Sequence, residues 1–382
     1  MKNILFFSII VVILLSCTPK TAQNNADGLV DKNLTRETQL LWQRMHQFMD
    51  HGIMLGHQDD LAYGVTWYNE PNRSDVHDVT GQYPAIIGWE IGHIEIDAPY
   101  NLDSIYFDNM KRYICEAHDR GSINTISWHG DNIVTGNTAW DCDQDYVVKS
   151  ILPSGENHEK YKIWLDRVAD FFLDLKDADG NLIPVMFRMY HEHTGAWFWW
   201  GSKQCTPEEY KQLWIMTVEH LRDKRNVHNI IYAYSPSETK DEAEYLERYP
   251  GDEYVDVVGF DCYGSGENAE YDPEKLQVQS TRYAQALRHN LDIVTTYAAK
   301  SGKVPCIAET GMEKFPPVHF FSDIIYNAIK DYKISYILFW RNANNRAGHY
   351  YVPYKGSNNQ DDFREFISKT DILMAEDIIN IQ

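Results

Sequence analysis

"IPVMFRMYHE", residues 183–192, is the stretch on which the fold turns. Its body is apolar up to Arg188, and it stops abruptly on His191 and Glu192. The run is short for a helix. It reads as a strand buried on both faces, with its polar groups gathered at the C-terminal end. Seven other runs share this form: "IMLGHQ", "PAIIGWE", "INTISWH", "IIYAYS", "VDVVGFDCY", "VPCIAE" and "SYILFWRN". They begin near Ile53, Pro84, Ile123, Ile230, Val255, Val304 and Ser335, and each is followed by a segment with room for a helix. Eight parallel strands alternating with helices predict an α/β protein, a (β/α)8 TIM barrel in a single catalytic domain. The rival, an open doubly wound sheet, wants a Gly-rich phosphate turn after an early strand. "YGSGENAE" follows the sixth run and lacks that geometry.

The helices carry their own signals. Leu41, Met45, Phe48 and Met49 fall at helical spacing and predict a first helix closing one end of the fold. Glu159–Leu175 places Ile163, Leu165, Val168, Phe171 and Phe172 on one side. Pro207–Arg222 starts with Thr206 as N-cap and Pro207 at the first helical position. Thr281–Lys300 is a long helical stretch before the seventh strand.

The opening "MKNILFFSIIVVILLSC" has Lys2, an apolar run and Cys17, the form of a signal peptide over residues 1–17. Leu14, Leu15, Ser16 and Cys17 resemble a bacterial lipoprotein box, which implies a lipid on Cys17 and membrane attachment through it. Residues 18–33 read as a flexible tether and 34–382 as the barrel. With no acidic cluster after Cys17, the periplasmic face of the cell envelope is preferred over the cell surface. Five further cysteines are scattered with no CxxC pair, so zinc or iron–sulfur ligation is not expected. An oxidising compartment permits up to two disulfides, with Cys262 and Cys306 more at home as buried thiols.

Net charge is −21, from 56 acidic against 35 basic residues, which repels nucleic acid. The 11 Trp and 25 Tyr suit a neutral sugar ligand, whose ring faces are apolar and whose rims are hydroxyls. Active sites of such barrels lie at the C-terminal strand ends. There the chain offers His57, Gln58, Glu90, Trp128, His129, Glu192, Tyr234, Asp261, Tyr263, Glu309, Trp340 and Arg341. Glu192 ends the fourth run and Glu309 the seventh, nearly across a barrel. Two carboxyl groups about 5–5.5 Å apart suit a retaining glycosidase, one attacking the anomeric carbon and the other protonating the leaving oxygen. "WFWW" beside Glu192 would give indole faces to the C–H faces of sugar rings.

These motifs resemble glycoside hydrolase family 26, chiefly β-1,4-mannanases, from about Gly52 to Asn344. "RMYHEHTGAWFWWG" is similar to that family's acid/base signature and "IAETG" to its nucleophile strand. The resemblance implies Glu192 as acid/base, Glu309 as nucleophile and Tyr263 of "GFDCYG" bonded to that nucleophile. It places His129 of "SWH", His191, Trp197, Trp200, Trp340 and Arg341 around a neutral polysaccharide such as mannan, with no metal or other cofactor and no protein partner evident. Arg188 and Asp261 would orient the others. Two residues depart from the pattern: Glu90 stands where Asp is usual, and His193 where an Asn-like residue is more familiar. Random internal cutting, release of mannobiose from chain ends, and attack on mixed-linkage glucan or xylan stay open, with 69–78 and 131–145 as cleft-shaping loops. The rivals in other classes are a metal-dependent barrel hydrolase using the "HEH" imidazoles, and a non-catalytic glycan-binding lipoprotein.

Overall fold

The computed structural model describes residues 28–264, 272–315 and 319–381. Eight strands form a closed parallel barrel: β1 (Ile53–Gln58), β2 (Ile86–Glu90), β3 (Ile123–Trp128), β4 (Val185–Met189), β5 (Ile230–Tyr234), β6 (Val257–Val258 and Asp261–Tyr263), β7 (Val304–Pro305 and Ile307–Gly311) and β8 (Tyr336–Phe339). Each pairs with the next, and β8 closes on β1 with Met54 opposite Tyr336. All eight predicted runs are strands. β6 and β7 are each broken into two pieces, which the sequence pattern does not mark.

Alternation sorts the side chains into two layers. Met54, Ile86, Met186, Ile231, Ala233, Val257, Val304, Cys306, Ala308 and Leu338 fill the barrel interior. Leu55, Ile87, Ile126, Val185, Phe187, Ile307 and Ile337 face outward to the helices. The interior tolerates little volume: a Cβ on Gly88 would stand 2.0 Å from Gln58 Oε1. β7 then departs from strict alternation. Ile307 lies opposite Ile337 and Thr310 opposite Phe339, so β7 fits one more residue than β8 over that span. This bulge lets Glu309 turn inward although its neighbour Ala308 already does.

The first helix, α1 (Arg36–Phe48), covers the N-terminal end of the barrel. Around the flanks run α2 (Phe107–Asp119), α3 (His158–Asp174), α4 (Pro207–Glu219) and α5 (Pro273–Ser301). The predicted helix at Thr281 begins eight residues earlier, with Asp272 capping Glu274 and Lys275 ahead of Pro273. α4 ends at Glu219 and passes into a π turn, His220–Lys224, which begins inside the predicted span and runs two residues past it.

The predicted leader 1–17, with Cys17, lies outside the described residues. The tether expected over 18–33 does not run freely to residue 33. Leu29, Val30 and Asp31 are buried. Val30 N–H donates to Asp256 Oδ1 at 2.8 Å, and Asp31 pairs with His228 at 2.7 Å. Apolar Leu29 and Val30 are the residues that composition alone folds into a polar stretch. Cys115, Cys142, Cys205, Cys262 and Cys306 are all free thiols, with Cys262 and Cys306 buried as expected.

Thr206 closes a capping box with Glu209, accepting from Glu209 N–H at 3.2 Å. Its replacement by Ala is expected to cost about 1 kcal/mol of stability. A lowered midpoint of urea unfolding with an unchanged slope is the readout.

Candidate functional site

The C-terminal ends of β3, β4, β6 and β7 bring most of the predicted residues into one cleft. At its floor lies Arg188, buried on β4. Its guanidinium donates to Asp261 Oδ2 at 2.7 Å, to Ser235 Oγ at 3.3 Å, and to Glu309 Oε2. Glu309 is also held from the other side, where the Tyr263 hydroxyl donates to Oε1. Glu309 and Asp261 sit opposite one another in the β6–β7 register, so one guanidinium fork meets both. Burial pushes the Asp261 carboxyl up against the pull of Arg188.

Glu192 follows β4 on a strained turn. Tyr190 and Glu192 both take left-handed conformations, φ +49° and +52°. Each non-glycine residue held this way costs about 1–2 kcal/mol. The turn is pinned by Tyr210, whose hydroxyl donates to Tyr190 O at 2.9 Å, and by Glu192 N–H donating to Ser235 O at 2.8 Å. Trp197 Nε1–H donates to Glu192 Oε2 at 2.7 Å. Burial, and next the negative charge of Glu309, raise the Glu192 carboxyl to about 7.

A second line of groups runs along the cleft wall. His129 Nδ1 lies 2.7 Å from Glu90 Oε2, and its Nε2 lies 3.0 Å from His191 Nε2. Burial works to lower the His129 pKa, but the Glu90 carboxylate outweighs it and the net shift is upward. His191 is pushed well below the ordinary imidazole value, by burial first and then by the positive charges of Arg188 and His129. Glu90 thus favours the protonated form of His129, while burial and Arg188 favour the neutral form of His191 beside it.

Glu90, whose role the sequence left in doubt, has every lone pair engaged. Gly92 N–H and His129 N–H donate to Oε1, at 2.6 and 2.7 Å, while Ser127 Oγ donates to Oε2 at 2.6 Å. Trp140 was missed altogether. It is 48% exposed and lies flat on His129, centroids 5.0 Å apart and planes 13° from parallel. A lone Trp in the polar segment "NTAWDCD" was the available signal. It falls within the predicted cleft loop 131–145. In the other predicted loop, 69–78, Asn69 Oδ1 accepts from Arg112 of α2 at 3.1 Å, and Asp75 Oδ2 accepts from Asn342, two residues past Trp340, at 2.9 Å.

Not all predicted contacts face the cleft. Trp197 is 43% exposed and Trp340 half-buried, both with surface to offer. Trp200 corrects the expectation of a sugar contact: it is fully buried, stacked at 4.6 Å beneath Phe198, with Nε1–H donating to His191 O at 2.8 Å. It is a support for the cleft wall. Arg341 stands at the β1–β2 side of the rim, paired with Asp103 at 2.9 Å and donating to Tyr63 OH at 3.1 Å. His193 turns away from the cleft and packs between Tyr210 and Tyr234, centroids at 4.4 and 4.8 Å.

His191, Asp261 and Glu309 could each offer a metal one atom within a 4.8 Å span. Both carboxylates already meet the Arg188 guanidinium, so the charge they would give a metal is answered by a cation of the chain itself.

The family model "Glycosyl hydrolase family 26" matches residues 30–331. A mannan endo-1,4-beta-mannosidase of Bifidobacterium adolescentis is 30% identical over 93% of this chain and 36% of its own length. One of Bacillus subtilis strain 168 is 31% identical over 53% of this chain and 56% of its own. The chain thus spans about a third to a half of the curated relatives it matches. A solved GH26 beta-mannanase from Bacteroides ovatus is 42% identical, with TM-score 0.84, over 90% of this chain and 96% of that one. By sequence across most of its length and by the architecture of its barrel, this chain belongs to glycosyl hydrolase family 26.

Proposed function

We propose that the chain hydrolyses β-1,4-mannosidic bonds of mannan-type polysaccharides with retention of anomeric configuration. The observation that carries this reading is the unequal pair of carboxyl groups in one cleft. Glu309 is ion-paired with Arg188 and bonded by Tyr263, while Glu192 is raised to about 7 beside it. Glu309 is the nucleophile: its carboxylate attacks the anomeric carbon, forming a glycosyl-enzyme ester as the glycosidic C–O bond breaks. Glu192 gives its proton to the leaving oxygen, then takes one from the water that cleaves the ester. Trp197, Trp140 and Trp340 offer ring faces for sugar stacking, and the His129–His191 pair lies where hydroxyl groups of the cleaved sugar would be held. The mannanase names of the relatives above support mannan as the polymer.

The proposal includes attachment of the chain to the cell envelope through a lipid on Cys17, facing the periplasm. The apolar run ending in "LLSC" supports it, as does the lack of an acidic cluster after Cys17.

Replacing Glu309 by Ala is expected to abolish release of reducing ends from mannan, with an unchanged circular dichroism spectrum. Full activity in that variant would remove the assignment. Glu192→Ala is expected to lose far more activity on mannan than on an aryl mannoside whose leaving group needs no protonation, and equal losses would deny it the acid role. Chromatography of the first products from mannan separates internal cutting from disaccharide release.

The acid must be protonated to act, so kcat/KM is expected to fall as pH rises through about 7, the value to which Glu192 is raised. A pH–rate profile whose basic limb lies several units higher would contradict this. Glu90→Gln removes the charge that raises His129. An NMR titration of the His129 imidazole should then shift to lower pH. No shift would show that burial, not Glu90, governs that ring.

A further inference from the structure

We infer that the N-terminal face of the barrel is the face turned toward the lipid surface, so that the cleft opens away from the membrane. This rests on the lipid-anchor reading above and adds a direction to it. Residues 28–35 cross beneath the starts of three strands. Lys303, next to β7, donates from Nζ to Gly28 O at 3.2 Å. Val30 bonds Asp256, next to β6, and Asp31 pairs with His228, just ahead of β5. Thr35 N–H donates to His228 O at 2.8 Å, and Leu29 belongs to the same buried cluster as Leu41, Trp42 and Met45 of α1. The described chain therefore reaches the body at the end opposite Glu192 and Glu309.

Length decides the rest. From Cys17 to Gly28 there are eleven Cα steps. Even fully extended they span at most about 40 Å. A compact body of this size has a radius of gyration of about 20 Å, and so a diameter of roughly 50 Å. For the cleft rim to rest on the bilayer, the anchor would have to reach around the whole body, and it is too short. Substrate thus meets the cleft from the aqueous compartment, and the faces beneath α1 and the 28–35 segment lie nearest the lipid.

Energy transfer to a headgroup-labelled acceptor lipid tests this with the full lipidated chain in vesicles. Lys333 and Asn345, both exposed, flank β8 on its N-terminal and C-terminal sides. A donor is attached at Lys333→Cys or Asn345→Cys in a chain whose Cys115 and Cys142 are serine, and circular dichroism checks that each folds. Transfer from position 333 is expected to exceed that from position 345 about twofold or more, given a body roughly 50 Å across. Equal or reversed transfer in vesicle-bound chain overturns the orientation and leaves the anchor standing. Wild type and Cys17→Ala partitioning alike into the soluble fraction removes the anchor and, with it, the orientation.

Discussion

The site is organised by one buried cation. Taking a guanidinium out of water carries an effective penalty of several kcal/mol, and the fold offsets it by giving Arg188 two carboxylates and a hydroxyl as partners. That fork ties β4 to β5, β6 and β7 where the strands diverge. Glu192 holds its proton through burial and the charge of Glu309 together, against the pull of Arg188. The same positive charge helps to keep His191 neutral. A lysine at position 188 would keep the charge and lose the planar fork, so the two carboxylates would no longer be fixed relative to each other.

Arg188 can do this only if Glu309 faces it, and strand alternation alone does not permit that. Val304, Cys306 and Ala308 point inward. Strict period two would send Glu309 out toward the helices with Ile307. The extra residue between the registers at Ile307 and Thr310 supplies the turn that brings it back. In "VPCIAE" nothing marks this bulge, because a bulge is a relation between two strands and a single strand's sequence holds only half of it. The identity of Glu309 as a strand-end acid was legible; the means of aiming it was not.

The same distinction explains what else the sequence did and did not disclose. Strand starts were readable because eight short apolar runs, each closed by polar residues, have few other uses in a chain of this length. The α4 cap was readable because Thr206, Pro207 and Glu209 act on their own neighbours. Trp200 was misjudged because "WFWW" does not say which indoles face outward. Its burial depends on Phe198 lying over it, a contact set by the path of the whole loop. Glu90 looked like an untidy replacement until His129, 39 residues away, was seen to take both its oxygens. Leu29 and Val30 were lost in a polar stretch because their partners, such as Asp256, come more than two hundred residues later.

The strained turn after β4 is subject to both constraints. Two non-glycine residues with positive φ in three positions are not expected in a chain free to relax. Here the backbone leaves the barrel wall right after Met189, and the turn sets Glu192 beside Glu309. The turn is held from below by aromatic hydroxyls, with Tyr190 bonded to Thr217 at 2.8 Å and Tyr210 to the Tyr190 carbonyl. It is held from the cleft side by Trp197, whose N–H reaches Glu192 while its ring keeps an open face. One indole thus orients the acid and presents a stacking surface beside it. That coupling suits a neutral ligand, which brings no charge of its own to align the groups that act on it.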